Sequence, residues 1–417
     1  MSRVFGRIGL LSFGGPAAQI AVMHRELVEE RPWLEEESFL RGLSFCMLLP
    51  GPEAMQLCTY AGWRLRGIPG GLLAGLLFVL PGALVIACLV WLYAHFGTLP
   101  GVQAAFLGVK AAVVIIVSQA LWRLAGKALK GRRDLMLAAF GFAGLFLFSL
   151  PFPLVILSAG LFGLFWPART AVAAPAEPAI QPANRTNTPV TLLLWSLLWL
   201  APLLLLELSG SDFLADIGWF FAKLAVVSFG GAYAVLSYMS QTVVEQQGWI
   251  SAREMIDALG LAETTPGPLI LVTQFVAMLS GLKSGGFALF LAAGLTALWA
   301  TFLPCFLWIF AAAPHVETLT RHPRLSGALS AITAVVTGVI LNLMVWFTLH
   351  VLFHKTATLD LGPFPVVWPK FDSLDVAALI LIGLAGLAAL LLRGRLLWLL
   401  AVMALAGLAL VPYVNGL

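Results

Sequence analysis

Two short patterns in this chain are built to hold an anion. In Leu49-Pro50-Gly51-Pro52-Glu53, Pro50 ends one helix and Gly51 permits a sharp reversal. Pro52 suits the first turn of the next helix, where its missing N–H costs nothing. Thr264-Thr265-Pro266-Gly267-Pro268 repeats the device. A helix starting at such a point aims unpaired N–H groups and its positive dipole end into the gap. Gly14-Gly15 and Gly230-Gly231, each inside an SFGG tetrapeptide, expose backbone in the same manner and allow close approach. The side chains nearby fit the same chemistry. Arg7 and Lys223 offer one cation each, and His24 and Arg25 follow the first glycine break. Glu53 and Glu263 border the proline turns and would carry a coupling proton if burial raised their pKa. Gln56, Thr59, Thr264, Thr265, Thr273 and Gln274 supply neutral hydrogen-bond donors. Plainer roles stand beside these: snorkelling for Arg7 and Lys223, a cytoplasmic flank for His24 and Arg25, a helix cap for Glu53, and packing or kinking for any single Gly-Gly or Pro-Gly-Pro.

What lifts the patterns above coincidence is their recurrence. Shifted by 216 residues, 5–52 aligns on 221–268 without a gap, with 14 of 48 pairs identical, where roughly four are expected by chance. SFGG meets SFGG, Val28-Glu29 meets Val244-Glu245, Trp33 meets Trp249, the two Pro-Gly-Pro turns coincide, and Arg7 pairs with Lys223. The chain is a fused duplication.

The elements that carry these patterns lie in lipid. Of 417 residues, 60% are hydrophobic and 11% charged, against about 25% charged in soluble proteins, and the mean hydropathy is +0.96. Apolar runs suited to membrane helices occupy 69–97, 101–121, 134–150, 152–166, 190–208, 285–313, 324–352, 373–392 and 396–413. The regions 5–66 and 213–281 are more polar and broken by Gly and Pro. Residues 167–189, rich in Ala and Pro, form a linker, so the expected domains are a repeat at 1–166, a cytoplasmic linker at 167–189, and a second repeat at 190–417 with one extra leading helix. The N-terminus has arginines before a short apolar stretch, but its pattern recurs in mid-chain, so it is read as part of the mature protein and not as a signal peptide. The glutamate-rich 29–37 reads as a solvated loop. Cys46, Cys58, Cys88 and Cys305 lack CxxC or Cys/His spacing and read as buried small residues, with no metal site and no cofactor. A net charge of +4 without a basic groove argues against nucleic acid.

Positive charge marks the cytoplasmic side. Arg123, Lys127, Lys130, Arg132 and Arg133 follow the helix at 101–121, whereas Arg321, His322 and Arg324 precede its counterpart at 324–352. Arg393 and Arg395 mark another cytoplasmic turn, and Glu207, Asp212 and Asp216 fall opposite. Equivalent helices therefore run in opposite directions, an inverted repeat. Inversion needs an odd number of crossings between equivalent points, so the broken regions must enter and leave on one side or cross an even number of times, as re-entrant hairpins do. The expected fold class is an all-α polytopic membrane protein with two inverted repeats and broken or re-entrant helices. Irregular backbone at membrane depth survives only inside protein or beside water, and paired broken segments in both halves mark a transporter's substrate site.

At these motifs the sequence resembles the chromate ion transporter family, in its long-chain two-domain form. The likeness is carried by FGGPAAQIAVMHRELVEERPWL (13–34), LLPGPEAMQL (48–57), GGLLAGLLFVLPGAL (70–84), FGGAYAVLSYM (229–239) and ETTPGPLILVTQF (263–275). The resemblance implies export of chromate across the inner (plasma) membrane, resistance to chromate, and sulfate as a look-alike competitor. The alternative is an uptake or exchange carrier for sulfate or another tetrahedral oxyanion. The expected partners are the oxyanion, the lipid bilayer, protons and a second copy of the chain in a homodimer. No phosphate-binding GxxxxGK[ST] loop occurs, and the histidines (24, 95, 315, 322, 350, 354) lack the paired spacing of a haem enzyme, so an enzyme is not expected. The expected substrate-binding residues are Arg7, Gly14, Gly15, His24, Arg25, Gly51, Glu53, Gln56, Lys223, Gly230, Gly231, Glu263, Thr264, Thr265, Gly267 and Gln274.

Overall fold

A computed structural model describes residues 1–166, 187–229, 232–316, 319, 322–361, 364–392 and 395–414. Linker positions 167–186, Gly230, Gly231, Arg321 and Arg393 lie outside the described residues. In chain order the helices are α1 (Ser2–Leu11), α2 (Gly15–His24), α3 (Glu36–Cys46), α4 (Glu53–Phe96), α5 (Pro100–Ala128), α6 (Arg132–Phe146), α7 (Phe152–Phe165), α8 (Thr188–Leu208), α9 (Asp212–Val227), α10 (Ala232–Ser240), α11 (Ala252–Thr264), α12 (Val272–Ala312), α13 (Pro323–Leu352), α14 (Val376–Leu391) and α15 (Leu396–Val414). Every apolar run read from the sequence carries a helix, although 147–150 and 373–375 fall outside α6 and α14. Among the described residues, five helical segments are long and apolar enough to cross a membrane: Glu53–Phe96, Pro100–Ala128, Thr188–Leu208, Leu269–His315 and Pro323–Leu352.

The helices α6 and α7 are shorter, and 1.5 Å of rise per residue gives each only about 22 Å against a hydrocarbon core of about 30 Å. Whether this pair crosses twice or turns back inside the membrane, it contributes an even number, so the odd count needed for inversion survives. Among the described residues, one departure from an all-helical chain occurs after α13. Thr356–Leu361 and Phe364–Pro369 pair as an antiparallel β-hairpin, because the interhelical stretch carries alternating Thr, Leu and Val instead of turn residues alone.

The broken regions fold as helical hairpins too short to span. In the first repeat α1 and α2 reverse at Ser12–Gly14, bringing Arg7 back to Glu26 at 3.2 Å and Phe5 to Trp33 at 6.4 Å between ring centroids. Helix α3 and the start of α4 reverse at the Pro-Gly-Pro turn, setting Phe45 against Tyr60 with ring centroids 5.8 Å apart and planes tilted by 52°. A third reversal is hidden inside α4. Arg66 and Gly67 leave helical geometry, Gly67 with φ 64°, and the chain doubles back so tightly that a Cβ on Gly62 would strike the Gly70 carbonyl. Helix α12 repeats this at Gly285 and Gly286, the latter with φ 75°, with Gly281 against Leu289. Matching breaks in both halves show the duplication in the backbone itself.

Contacts divide the chain into two compact units. One comprises 1–88, 160–235 and 265–330; the other comprises 89–159, 236–264 and 331–417. Each unit combines segments from both sequence repeats. In the first, α8 is fastened to α12 by a reciprocal tryptophan exchange. Trp199 Nε1 donates to Ala300 O at 3.1 Å, and Trp299 Nε1 donates to Trp199 O at 3.2 Å. In the second, α5 and α15 approach closely because Gly108 and Gly407 face each other's backbone. Cys46, Cys58 and Cys305 are buried, as expected, but Cys88 is exposed. Its side of α4 is the apolar outer face shared with Leu84 and Leu92, so hydrophobicity there reflects the surrounding lipid.

Candidate functional site

The first unit brings the four duplicated breaks together by exchange. Gly51 N–H donates to Ser228 O at 2.9 Å, and Gly267 N–H donates to Ser12 O at 2.8 Å. Ser12 and Ser228 are equivalent in the duplication, and so are Gly51 and Gly267. Each proline turn therefore docks on the SFGG break of the other repeat, a reciprocal pairing that requires a two-fold relation between the copies. Glycine is demanded at the turns: φ is 124° at Gly51 and 89° at Gly267. Gly14 and Gly15 also have positive φ, 87° and 79°, which lets α2 start immediately after the break.

Buried polar side chains surround the exchange. Gln19 donates from Nε2 to Gly267 O at 2.7 Å, so Gly267 is held through both its amide and its carbonyl. Gln56 is fully buried and donates to Pro50 O at 2.6 Å. Gln274, 3% exposed, donates to Ala83 O at 3.0 Å. Both glutamines spend a side-chain N–H on a main-chain carbonyl, while their Oε1 atoms are buried with no hydrogen-bond partner among the described residues. Thr273 stands beside Thr301 with 3.4 Å between hydroxyls. Cys305, one turn beyond Thr301, reaches the Gly51 turn, where its Sγ would lie 3.1 Å from a Cβ. Thr59 returns its hydroxyl to Met55 O at 2.9 Å. The first-turn amides of α2 and α4 have no intrahelical acceptor. The site is thus an enclosed meeting of helix starts, amides and hydroxyls.

Gly14, Gly15, Gly51, Gln56, Gly267 and Gln274 lie in this centre or its immediate wall. Three other expected residues do not. Arg7, His24 and Arg25 gather at the open end of the α1–α2 hairpin in an ionic cluster. Fully buried Glu26 accepts a hydrogen bond from Arg31 at Oε2 and is ion-paired with Arg7 through Oε1, and Arg25 lies 3.6 Å from Glu30. His24 bridges Glu29 at 2.9 Å and Glu36 at 2.6 Å. Its hydrogen bond to Glu36, helped by the charge of that group and by Glu29, raises the imidazole above its ordinary 6.5 against the opposing effect of partial burial. The 29–37 stretch is therefore an ion-paired cap and more than a solvated loop. Lys223, the counterpart of Arg7, is exposed, and the positions matching Glu26 and Glu30 are Thr242 and Gln246, so the second repeat lacks the acidic partners.

Glu53 opens α4 directly after its turn, half-buried. Glu263 and Thr265 are each 4% exposed and flank Thr264, which donates to Leu261 O at 2.7 Å. Gly230 and Gly231 lie outside the described residues. No group of His, Cys, Asp and Glu among the described residues has the geometry of a metal site. The sequence reading missed Gln19 and the two serine carbonyls. Gln19 had a signal, being the one polar side chain between Gly15 and Met23. The serine carbonyls had none, because a main-chain oxygen is the same in every residue.

The geometry can be set beside known proteins. The family model described as "Chromate transporter" matches residues 1–164 and 215–409. A probable chromate transport protein of Synechococcus elongatus is 32% identical over 83% of this chain and 83% of its own. A chromate transport protein of Cupriavidus metallidurans is 31% identical over 81% of this chain and 79% of its own. An uncharacterized transporter of Bacillus subtilis is 30% identical over 29% of this chain but 68% of its own, a relative on the scale of a single repeat. No solved structure matches the chain.

Proposed function

Because the chain belongs to the chromate transporter family, we propose that it is a secondary transporter that exports chromate from the cytoplasm through the inner membrane. Chromate resistance is the outcome and sulfate is the competitor. The observation that carries the proposal is the reciprocal exchange of Gly51 with Ser228 and of Gly267 with Ser12. It gathers broken helix ends where lipid cannot satisfy them, and broken ends in both halves of an inverted repeat are where such carriers bind substrate. The proposed donors are the amides starting α2 and α4 and the second side-chain N–H of Gln19, Gln56 and Gln274, the first being spent on a main-chain carbonyl. The domain arrangement that goes with this reading is a repeat at 1–166 and another at 190–417, joined on the cytoplasmic side.

A dianion leaving a negative-inside cell gains about 4.6 kcal/mol per 100 mV, twice the single-charge value. That gradient, on the order of a thousandfold, supports export without ATP. The second reading, an uptake or exchange carrier for sulfate, is favoured by the placing of Arg7, His24 and Arg25 on carboxylates elsewhere, because main-chain and side-chain amides donate to any tetrahedral oxyanion alike. Labelled chromate offered to inverted membrane vesicles separates the readings. Accumulation that unlabelled sulfate suppresses supports export. Sulfate accumulation in right-side-out vesicles, with no chromate entry into inverted ones, supports the alternative.

A further inference from the structure

A buried ion pair in the second unit has no part in the site above. Lys110 Nζ lies 2.9 Å from Asp257 Oδ1, the two side chains being 12% and 5% exposed. The Tyr93 hydroxyl donates to Asp257 Oδ2 at 2.8 Å. The three residues come from the end of α4, the body of α5 and the middle of α11. Lys110 is ten residues into α5, about 15 Å along a helix and so near the middle of a hydrocarbon core about 30 Å thick. It is the first ionisable side chain of that helix, and the next is Arg123.

Packing alone does not account for such a pair. Removing two charges from water costs several kcal/mol per ion, and well-packed apolar residues fill the same space at no such cost. Ionisable groups kept at membrane depth serve, as a rule, to move charge or ions. Nor does the pair belong to the scheme shared by both repeats. The position matching Asp257 is Arg41, which pairs with Glu37 on its own helix. The fold is built in the first repeat without this link, so in the second it answers a need other than folding.

We propose that Asp257 is a proton-binding site of the transport cycle, held as a carboxylate by Lys110 and Tyr93 and released when it is protonated. A hydronium ion gives its proton to Oδ1 and leaves as water. Lys110 keeps its own proton, and Tyr93 keeps its hydrogen bond to Oδ2. The attraction fastening α11 to α5 is lost in that step. Helix α11 ends at Thr264, and the chain continues through Thr265 into the turn Pro266–Pro268, so the freed arm is the one that carries half of the reciprocal exchange. The remaining charged groups near the pair are Arg253 and Glu254, a turn earlier on α11, with Glu254 bound to the Ser251 amide at 2.8 Å. The segments 376–391 and 396–410, in helices packed on α5, contain no ionisable side chain.

This inference rests on the transport reading, and its test separates the two. Purified protein is reconstituted in liposomes with the membrane potential clamped, and counterflow of labelled chromate is followed against pH. Wild-type exchange is expected to fall about tenfold per pH unit above a single midpoint. The double variant Lys110→Met/Asp257→Asn removes both charges together and is expected to lose that dependence and stay at the acid-limb rate. Titration of chromate itself is common to both proteins and cancels in their ratio. Infrared difference spectra of wild type against Asp257→Asn, taken without substrate, are expected to show one carboxylate becoming a carboxylic acid over the same range. A double variant with the wild-type pH profile overturns the proposal, and so does a spectrum lacking that conversion. Absence of chromate counterflow from wild type, with the infrared conversion present, counts against the transport reading alone.

Discussion

Replacing Gly51 by alanine tests the reciprocal exchange at its tightest point. Its φ of 124° is sparsely populated by residues with a Cβ, which costs about 1–3 kcal/mol. The new methyl would lie 2.7 Å from Gln56 Nε2 and 3.1 Å from Cys305 Sγ. The glutamine amide must move, and its 2.6 Å bond to Pro50 O goes with it, a buried group left unsatisfied at about 1–3 kcal/mol. Together these displace the turn by roughly 2–6 kcal/mol, a loss of about thirtyfold or more in the population of the docked arrangement. Gly15 is the matched control. Its φ is 79°, but a Cβ there meets nothing within 4 Å, so Gly15→Ala carries only the backbone cost of about 1–2 kcal/mol. Both variants are expected to insert and purify as monodisperse protein, with chromate counterflow in liposomes nearly lost in Gly51→Ala and reduced about tenfold in Gly15→Ala. The reasoning is refuted if Gly51→Ala exchanges chromate as fast as Gly15→Ala.

The hidden reversals make a second test. Gly62→Leu and Gly281→Leu each push a side chain into backbone at the same point of the two repeats and should lower the unfolding temperature in detergent comparably. Gln19→Leu removes the bond to Gly267 O, worth about 1 kcal/mol or severalfold, and is expected to raise the half-saturation concentration for chromate with helix content unchanged by circular dichroism. Arg7→Ala takes one of two arginines from buried Glu26, whereas Lys223 is exposed. Loss of thermal stability is expected from Arg7→Ala and not from Lys223→Ala, and a weakened chromate affinity in Arg7→Ala at unchanged stability would return Arg7 to the substrate site. His24 has a pKa raised by Glu36 and Glu29. A raised folded-state pKa stabilises fully below the unfolded value and fades as pH climbs through the folded one. Thermal stability should therefore decline from below about pH 6.5 upward, and His24→Gln should flatten that part of the profile.

The sequence by itself determined the solvent, the duplication and where the helices break. Those properties are local: hydrophobic runs choose lipid, and Gly14, Gly51 and Gly267 adopt positive φ because only glycine does so cheaply. Even the inversion was legible, since arginines and lysines are sorted by side of the membrane one loop at a time. What tertiary structure alone decided is which break meets which. The partners Ser12 and Gly267, or Lys110 and Asp257, are far apart in sequence, and a carbonyl oxygen or a lone lysine in an apolar helix carries no address. Gly67 and Gly286 turn the chain back where the broken regions give way to the apolar runs beginning at 69 and 285, a reversal the sequence does not announce because a single glycine serves packing as readily. Folding puts Glu26 within 3.2 Å of Arg7, a partner that neither an anion-binding nor a snorkelling reading of Arg7 names. Charge type is written in the residue, but its partner is chosen only when the chain folds back.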